Sequence, residues 1–196
     1  MKKLLILLFS LLFIFSASAC TNPGQDLPEN TPPVSEGTND TQENKPSLAG
    51  ISLGDPAEKA EEVFGKDFEE TFHEEAGHFP ESFYTWEYSE GTMVVIGHDS
   101  NKVLEIRSTS PERETNLGIK AGDQAEKVFN TYRGKYSEPE SIHGGKLYGC
   151  FKVEEGQALA FAFNIENGYF NSEDIPADEQ VEGILLTYPT YIDDSF

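Results

Sequence analysis

His73-Glu74-Glu75-Ala76-Gly77-His78 places two imidazoles and a carboxylate within six residues, the ingredients of zinc-dependent hydrolysis. That chemistry needs histidines four apart on a helix, so that both project from one face, with a glutamate after the first as base. A spacing of five turns the helix through about 500°, and the two rings diverge by about 140°. Gly77 weakens such a helix at the critical point. The stretch reads as two solvated loop histidines, and His98 and His143 add only ligands for adventitious metal. Cys150 sits in an apolar strand pattern and reads as a small core residue. The acidic stretch 164–174 offers oxygen ligands of the kind calcium prefers, chiefly Glu166, Asn167, Glu173 and Asp174. Its spacing is not that of an EF-hand, and a flexible acidic loop is the favoured reading. There is no Gly-x-Ser-x-Gly elbow, no phosphate loop and no Gly-x-Gly-x-x-Gly turn. The expectation is a protein that is not an enzyme and has no cofactor and no metal.

Aromatic residues are the remaining candidates. Tyr84, Trp86 and Tyr88 alternate with Thr85 and Glu87, the period of a strand, and Glu90 follows in a Glu-Gly turn. Most aromatics belong in a core that helices and a sheet share. Should one sheet face lack a cover, Tyr84, Trp86 and Tyr88, with Glu90 beside them, form a stripe suited to protein recognition.

The elements that would position these residues occur twice. Gly50-Ile51-Ser52-Leu53-Gly54-Asp55-Pro56-Ala57-Glu58-Lys59 returns 68 residues later as Gly118-Ile119-Lys120-Ala121-Gly122-Asp123-Gln124-Ala125-Glu126-Lys127, with seven of ten positions identical. Each copy reads as a helix start, with Asp55 and Asp123 as caps and Glu58 and Glu126 at capping-box spacing. Ala57, Ala60, Val63 and Phe64 then form one helical stripe, closed by Gly65. Ala125, Val128, Phe129 and Tyr132 form the other, closed by Gly134. Residues 66–82 are ambiguous, with Phe68 and Phe72 at a spacing that allows further helical turns. Strands follow over 84–88, 92–96 and 103–108, and in the second copy over 147–153, 158–163 and 181–188. The two Glu-Gly turns superpose Trp86 on Phe151. The expected fold is α+β, two tandem repeats, 48–112 and 113–196, each a helix or helix pair on a three- to four-stranded antiparallel sheet. The second carries an acidic insertion at 165–180.

Residues 1–19 begin with Lys2-Lys3, continue through an apolar run from Leu4 to Phe15, and end in Ala17-Ser18-Ala19 before Cys20. This resembles a bacterial lipoprotein signal, which implies lipid attachment at Cys20 and an extracytoplasmic protein held to the membrane by its N-terminal lipid only. Lipidation leaves Cys150 without a partner for an intramolecular disulfide. Residues 20–47 are rich in Pro, Asn, Thr and Glu and read as a disordered tether. With 14 basic against 35 acidic residues the net charge is −21, and loss of Lys2 and Lys3 with the leader takes it to −23. Such a surface repels nucleic acid and anionic lipid, and suits a basic protein partner.

The paired Gly-Ile-x-x-Gly-Asp starts, the helices carrying Ala, Val and Phe, and the hairpin plus strand after each are similar to the SmpA/OmlA envelope lipoproteins and the β-lactamase inhibitor protein group. The resemblance spans 48–110 and 117–188. It implies a non-catalytic module that binds an envelope or secreted protein, with Ser89-Glu90-Gly91 at the hairpin position the inhibitor presents to its enzyme. Inhibition of a secreted hydrolase, and calcium or ligand sensing by the insertion, are the alternative readings.

Overall fold

Strand-period segments that bury one face pair wherever a hydrophobic row can be continued, and here one row crosses every strand but one. In this computed structural model, which describes residues 45–192 and 196, the strands are β1 (Phe68–His73), β2 (Phe83–Tyr88), β3 (Thr92–Gly97), β4 (Val103–Ser108), β5 (Cys150–Lys152), β6 (Ala158–Ala162) and β7 (Gly183–Thr187). They form a single antiparallel sheet in the order β1-β2-β3-β4-β7-β6-β5. Trp86 lies opposite Val94, Val94 opposite Ile106, Ile106 opposite Leu186, Leu186 opposite Leu159 and Leu159 opposite Phe151. All six are buried in one core. The leader, Cys20 and the tether up to residue 44 lie outside the described residues.

Two helices, α1 (Ala57–Phe64) and α2 (Ala125–Tyr132), cover that row. From α2, Ala125, Val128, Phe129 and Tyr132 are all buried, and Tyr132 packs between Phe151 and Phe161 at ring separations of 5.1 and 5.2 Å. From α1, Ala57 and Ala60 are buried, but Val63 is exposed. Val63 projects about 100° around the axis from Phe64, off the stripe centred on the two alanines. Gly65 ends α1 with φ +85°. Gly134, by contrast, is not a left-handed terminator: α2 closes at Arg133 in ordinary helical geometry.

The helix starts differ from the capping expectation. Pro56 and Gln124 occupy the cap positions, and neither helix has a side-chain cap bond. The Asp55 carboxylate turns back instead, accepting the Ser52 N–H at 2.9 Å and the Lys59 ammonium at 2.7 Å. Asp123 does the same with the Lys120 N–H at 2.9 Å and Lys127 at 2.8 Å. Backbone carbonyls from the β3–β4 turn and from the loop before β7 supply what the caps would have given. Ala57 N–H donates to the Asn101 carbonyl at 3.0 Å, and Ala125 N–H to that of Glu179 at 2.8 Å. Each start is also tied by a pair of backbone bonds, Gly54 and Asp55 to Val103 at the head of β4, Gly122 and Asp123 to Val181 just before β7.

Residues 66–82 contain no helix. Phe68–His73 is the edge strand β1, paired with β2 from Phe68↔Tyr88 to His73↔Phe83, and a loop then returns the chain. The β5–β6 connection is a tight turn with Glu155 and Gly156 both left-handed, φ +59° and +69°, which suits the twist of a hairpin. On the face away from the helices a small second cluster, Leu147, Cys150, Ala158, Ala160 and Leu185, is covered by Tyr169, Phe170 and Phe196. Among the described residues no helix is long and apolar enough to cross a membrane.

Candidate binding groove on the second sheet face

Alternation along β1–β4 sends the residues next to the core row to the opposite side. There Thr71, His73, Phe83, Thr85, Met93, Val95 and Arg107 line a concavity of 310 Å³. A second cavity of 460 Å³ shares Phe79, Phe83 and Arg107 and runs on to Phe170, Tyr191 and Ile192. Among the described residues no α-helix lies over this half of the sheet; aromatic side chains from the loop before β2 and from the 3₁₀ turn Pro189–Tyr191 rim it. Phe79 packs on Phe83 at 4.6 Å and on Tyr191 at 5.3 Å.

The groove floor holds an ion pair. Glu105 is fully buried on β4, where a carboxylate needs partners. Its Oε1 accepts both Nε and Nη2 of Arg107 at 2.6 Å, and its Oε2 accepts the Thr187 hydroxyl at 2.7 Å. The Arg107 side chain is 43 % exposed, so its far side faces the groove. The guanidinium also lies 5.9 Å from the centre of the Tyr169 ring, whose hydroxyl burial shifts upward.

His73 ends β1 with its Nε2 3.2 Å from the Thr85 hydroxyl and its ring stacked on Phe83 at 4.6 Å. A hydroxyl beside an imidazole is the start of a nucleophile–base arrangement, which also needs a group to orient the ring and donors for an oxyanion. The ring's other contact is the Phe83 face, and Thr85 is buried in the sheet floor. What the groove offers is aromatic and aliphatic area around a neutralised ion pair, the composition of a recognition surface.

The stripe expected to meet a partner faces the other way. Trp86 and Tyr88 are only 7 % and 5 % exposed, because β1 and α1 bring Phe68 and Phe64 over them. The Trp86 ring stacks on Phe68 at 4.4 Å and its Nε1 donates to Glu70 at 2.8 Å. Tyr88 packs against Phe64 at 5.1 Å, and burial, with Glu61 and Glu90 nearby, pushes its hydroxyl up to about 12. Tyr84 is half-buried between the rings of Phe72 and His98. Glu90 is exposed and pairs with Arg113 at 2.8 Å. The groove-facing residues of β2 are the alternate set Phe83, Thr85 and Glu87, one step out of phase with the expected stripe. Arg107 and Met93 carry no sequence signal of their own, and only the opposite parity of β3 and β4 points to them; Phe79 belongs to the dense aromatic run of residues 79–88 and reaches the groove from the loop before β2.

The insertion is tied to the rest of the fold by side-chain bonds. Asn171 Nδ2 donates to the Tyr148 and Phe161 carbonyls at 2.8 and 2.9 Å, and Asp174 accepts from Arg133 at 3.2 Å. Glu166 and Asn167 lie in a short 3₁₀ turn, and Glu173 lines a separate cavity with Asn164 and Glu179. His98 sits in the β3–β4 turn beside Asp99 at 3.0 Å, and His143 is exposed in the loop before β5. Among the described residues, no three His, Cys, Asp or Glu side chains gather where they could hold a metal ion. Burial raises the Cys150 thiol far above the usual range, so it is not a thiolate at neutral pH.

No protein-family description, no curated protein and no solved structure matches this chain.

Proposed function

We propose that this chain is a lipid-anchored, extracytoplasmic protein without catalytic activity, which binds another envelope protein through the groove on the helix-free side of β1–β4. The observation that carries this reading is that half of one sheet face has no α-helix over it among the described residues and presents Phe79, Phe83, Met93 and Arg107 as a concave surface. Apolar and arginine side chains converging in a depression are what protein interfaces favour at their centres. The resemblance to the SmpA/OmlA and inhibitor-protein group supports a binding role, and Cys20 is the proposed lipid site.

The chain is read as two repeats, α1 with β2–β4 and α2 with β5–β7, joined where the last strand of each pairs. The mirrored strand order and the duplicated Asp–Lys and helix-start backbone bonds support it. In this reading β1 and the 165–180 insertion are the additions that distinguish the copies.

The test is retention of a partner from the producer's envelope fraction on the full chain, compared with Met93→Glu in the groove and Val63→Glu on the exposed side of α1. One partner kept by the parent and by Val63→Glu, and lost with Met93→Glu, is the expected result. Equal retention by all three refutes the groove, and retention that vanishes with EDTA transfers the role to the acidic insertion.

A further inference from the structure

The sheet has two edges, and they differ. β5 is three residues long, whereas β1 is six residues long and, among the described residues, paired with β2 only. A free edge of that length exposes alternate N–H and C=O groups that another strand can meet. Phe68, Glu70 and Phe72 lie on the helix side of β1, with Phe72 48 % exposed, and Glu69, Thr71 and His73 lie on the groove side.

The charges on this edge are arranged against the fold's own interest. Glu69 sits directly opposite Glu87 across β1–β2, and like charges so placed destabilise a sheet. Neither carboxylate has a cationic partner among the described ion pairs. Together with Asp67 they rim a depression of 440 Å³ at the start of β1, between Phe68 and Ser89. A second copy of this chain brought edge to edge would set Glu69 and Glu70 against the same residues. With a net charge of −21, self-pairing is opposed twice over. A strand carrying lysine or arginine meets the opposite situation, since each cation relieves an existing repulsion.

We propose that β1 receives an eighth strand, an extended basic segment of another protein with cations opposite Glu69 and Glu70 and apolar residues opposite Phe68 and Phe72. This deepens the protein-binding reading and rests on it: the added strand would lie along the groove rim and fix the partner's register. The free backbone edge supplies affinity, the opposed carboxylates supply the choice of charge, and Phe72 supplies apolar contact.

The probe is a nine-residue acetylated peptide with a Lys-Lys pair flanked by alternating Val and Thr, titrated into the full chain in detergent and followed by fluorescence anisotropy. Its controls are a Glu-Glu counterpart and two N-methylated forms, each methylated on one alternate set of amides. The expected result is at least tenfold tighter binding of the Lys-Lys than of the Glu-Glu peptide. One N-methylated form should lose tenfold or more while the other binds like the parent, and amide exchange should slow within 68–73. The double variant Glu69→Lys/Glu87→Lys should invert the charge preference while its circular dichroism is unchanged. Equal binding of the two N-methylated forms reduces the effect to charge attraction and overturns the proposal. So does undetectable binding, or exchange protection at β5 alone. If the peptide fails while the envelope partner is still retained and still lost with Met93→Glu, the eighth strand falls and the groove stands. Peptide binding with no envelope partner has the reverse meaning.

Discussion

Replacing Arg107 with methionine keeps much of the side-chain volume and removes the cation that, among the described residues, pairs with the Glu105 carboxylate. Glu105 would keep the Thr187 hydroxyl at 2.7 Å and lose both guanidinium bonds to Oε1. Breaking a fully buried ion pair from one side typically costs about 3–5 kcal/mol, because the remaining charge is left without compensation. Arg107 is 43 % exposed, so water reaches the vacated side, and the expected loss falls to roughly 2 kcal/mol. For a chain of this size, with a urea slope of about 2 kcal/mol per molar, the midpoint should drop by roughly 1 M at constant slope. Glu105→Leu combined with Arg107→Met removes the stranded charge, and should cost clearly less than the two single changes added together. A single Arg107→Met variant within about 0.5 kcal/mol of the parent, or strict additivity in the double variant, would refute the view that the groove floor depends on this pair.

The Glu138 side chain is largely enclosed, which by itself would raise its pKa, but the Gly149 N–H, Lys146 and Arg133 outweigh burial and hold it below the ordinary carboxylate value. A depressed folded value means its contribution is complete above the unfolded pKa of about 4.3 and is lost as pH falls through the folded value. Glu138→Gln should therefore flatten the acid side of a stability-versus-pH curve, a change that denaturant midpoints from pH 7 to 3 would register. Asp55 and Asp123 are lowered in the same sense, against burial, by their lysine and backbone partners, and add to the same acid limb. Gly149 has φ +74°, and a Cβ there would lie 2.9 Å from the Phe163 ring, so Gly149→Ala should cost roughly 2–3 kcal/mol in thermal or urea unfolding. Gly145, at φ +89° with open space around it, isolates the backbone part, and Gly145→Ala should cost about 1 kcal/mol. Cys150 is buried and its thiol is raised, so alkylation at pH 8 should follow the unfolding rate, and fast labelling of the native chain would contradict its place in the buried cluster with Leu147, Ala160 and Leu185.

The helices, the hairpins and the α+β class were legible because they depend on neighbours in sequence: alanines at helical spacing, alternation in strands, glycines that allow left-handed turns. The likeness of the two helix starts was legible too, though not what the aspartates do. Ser52 lies three positions before Asp55 and Glu58 three positions after it, and the choice between closing the upstream turn and capping the helix came from bonds to Val103 and Asn101. Phe68 and Phe72 were ambiguous for a geometric reason. Residues four apart share a face in a helix and in a strand alike, and pairing with β2 decided between them.

The candidate site turned on parity. Alternation divides β2 into Tyr84, Trp86 and Tyr88 on one side and Phe83, Thr85 and Glu87 on the other, and sequence by itself determined that division. Which set is buried depends on where α1 and α2 dock, and on Phe68 arriving from an edge strand that pattern alone left undefined. The joining of β4 to β7 and the pairing of Glu105 with Thr187, 82 residues away, were likewise decided only by tertiary structure. Local spacing determines the faces an element has. The free energy of burying one of them belongs to contacts between distant segments, and no window of sequence contains both partners.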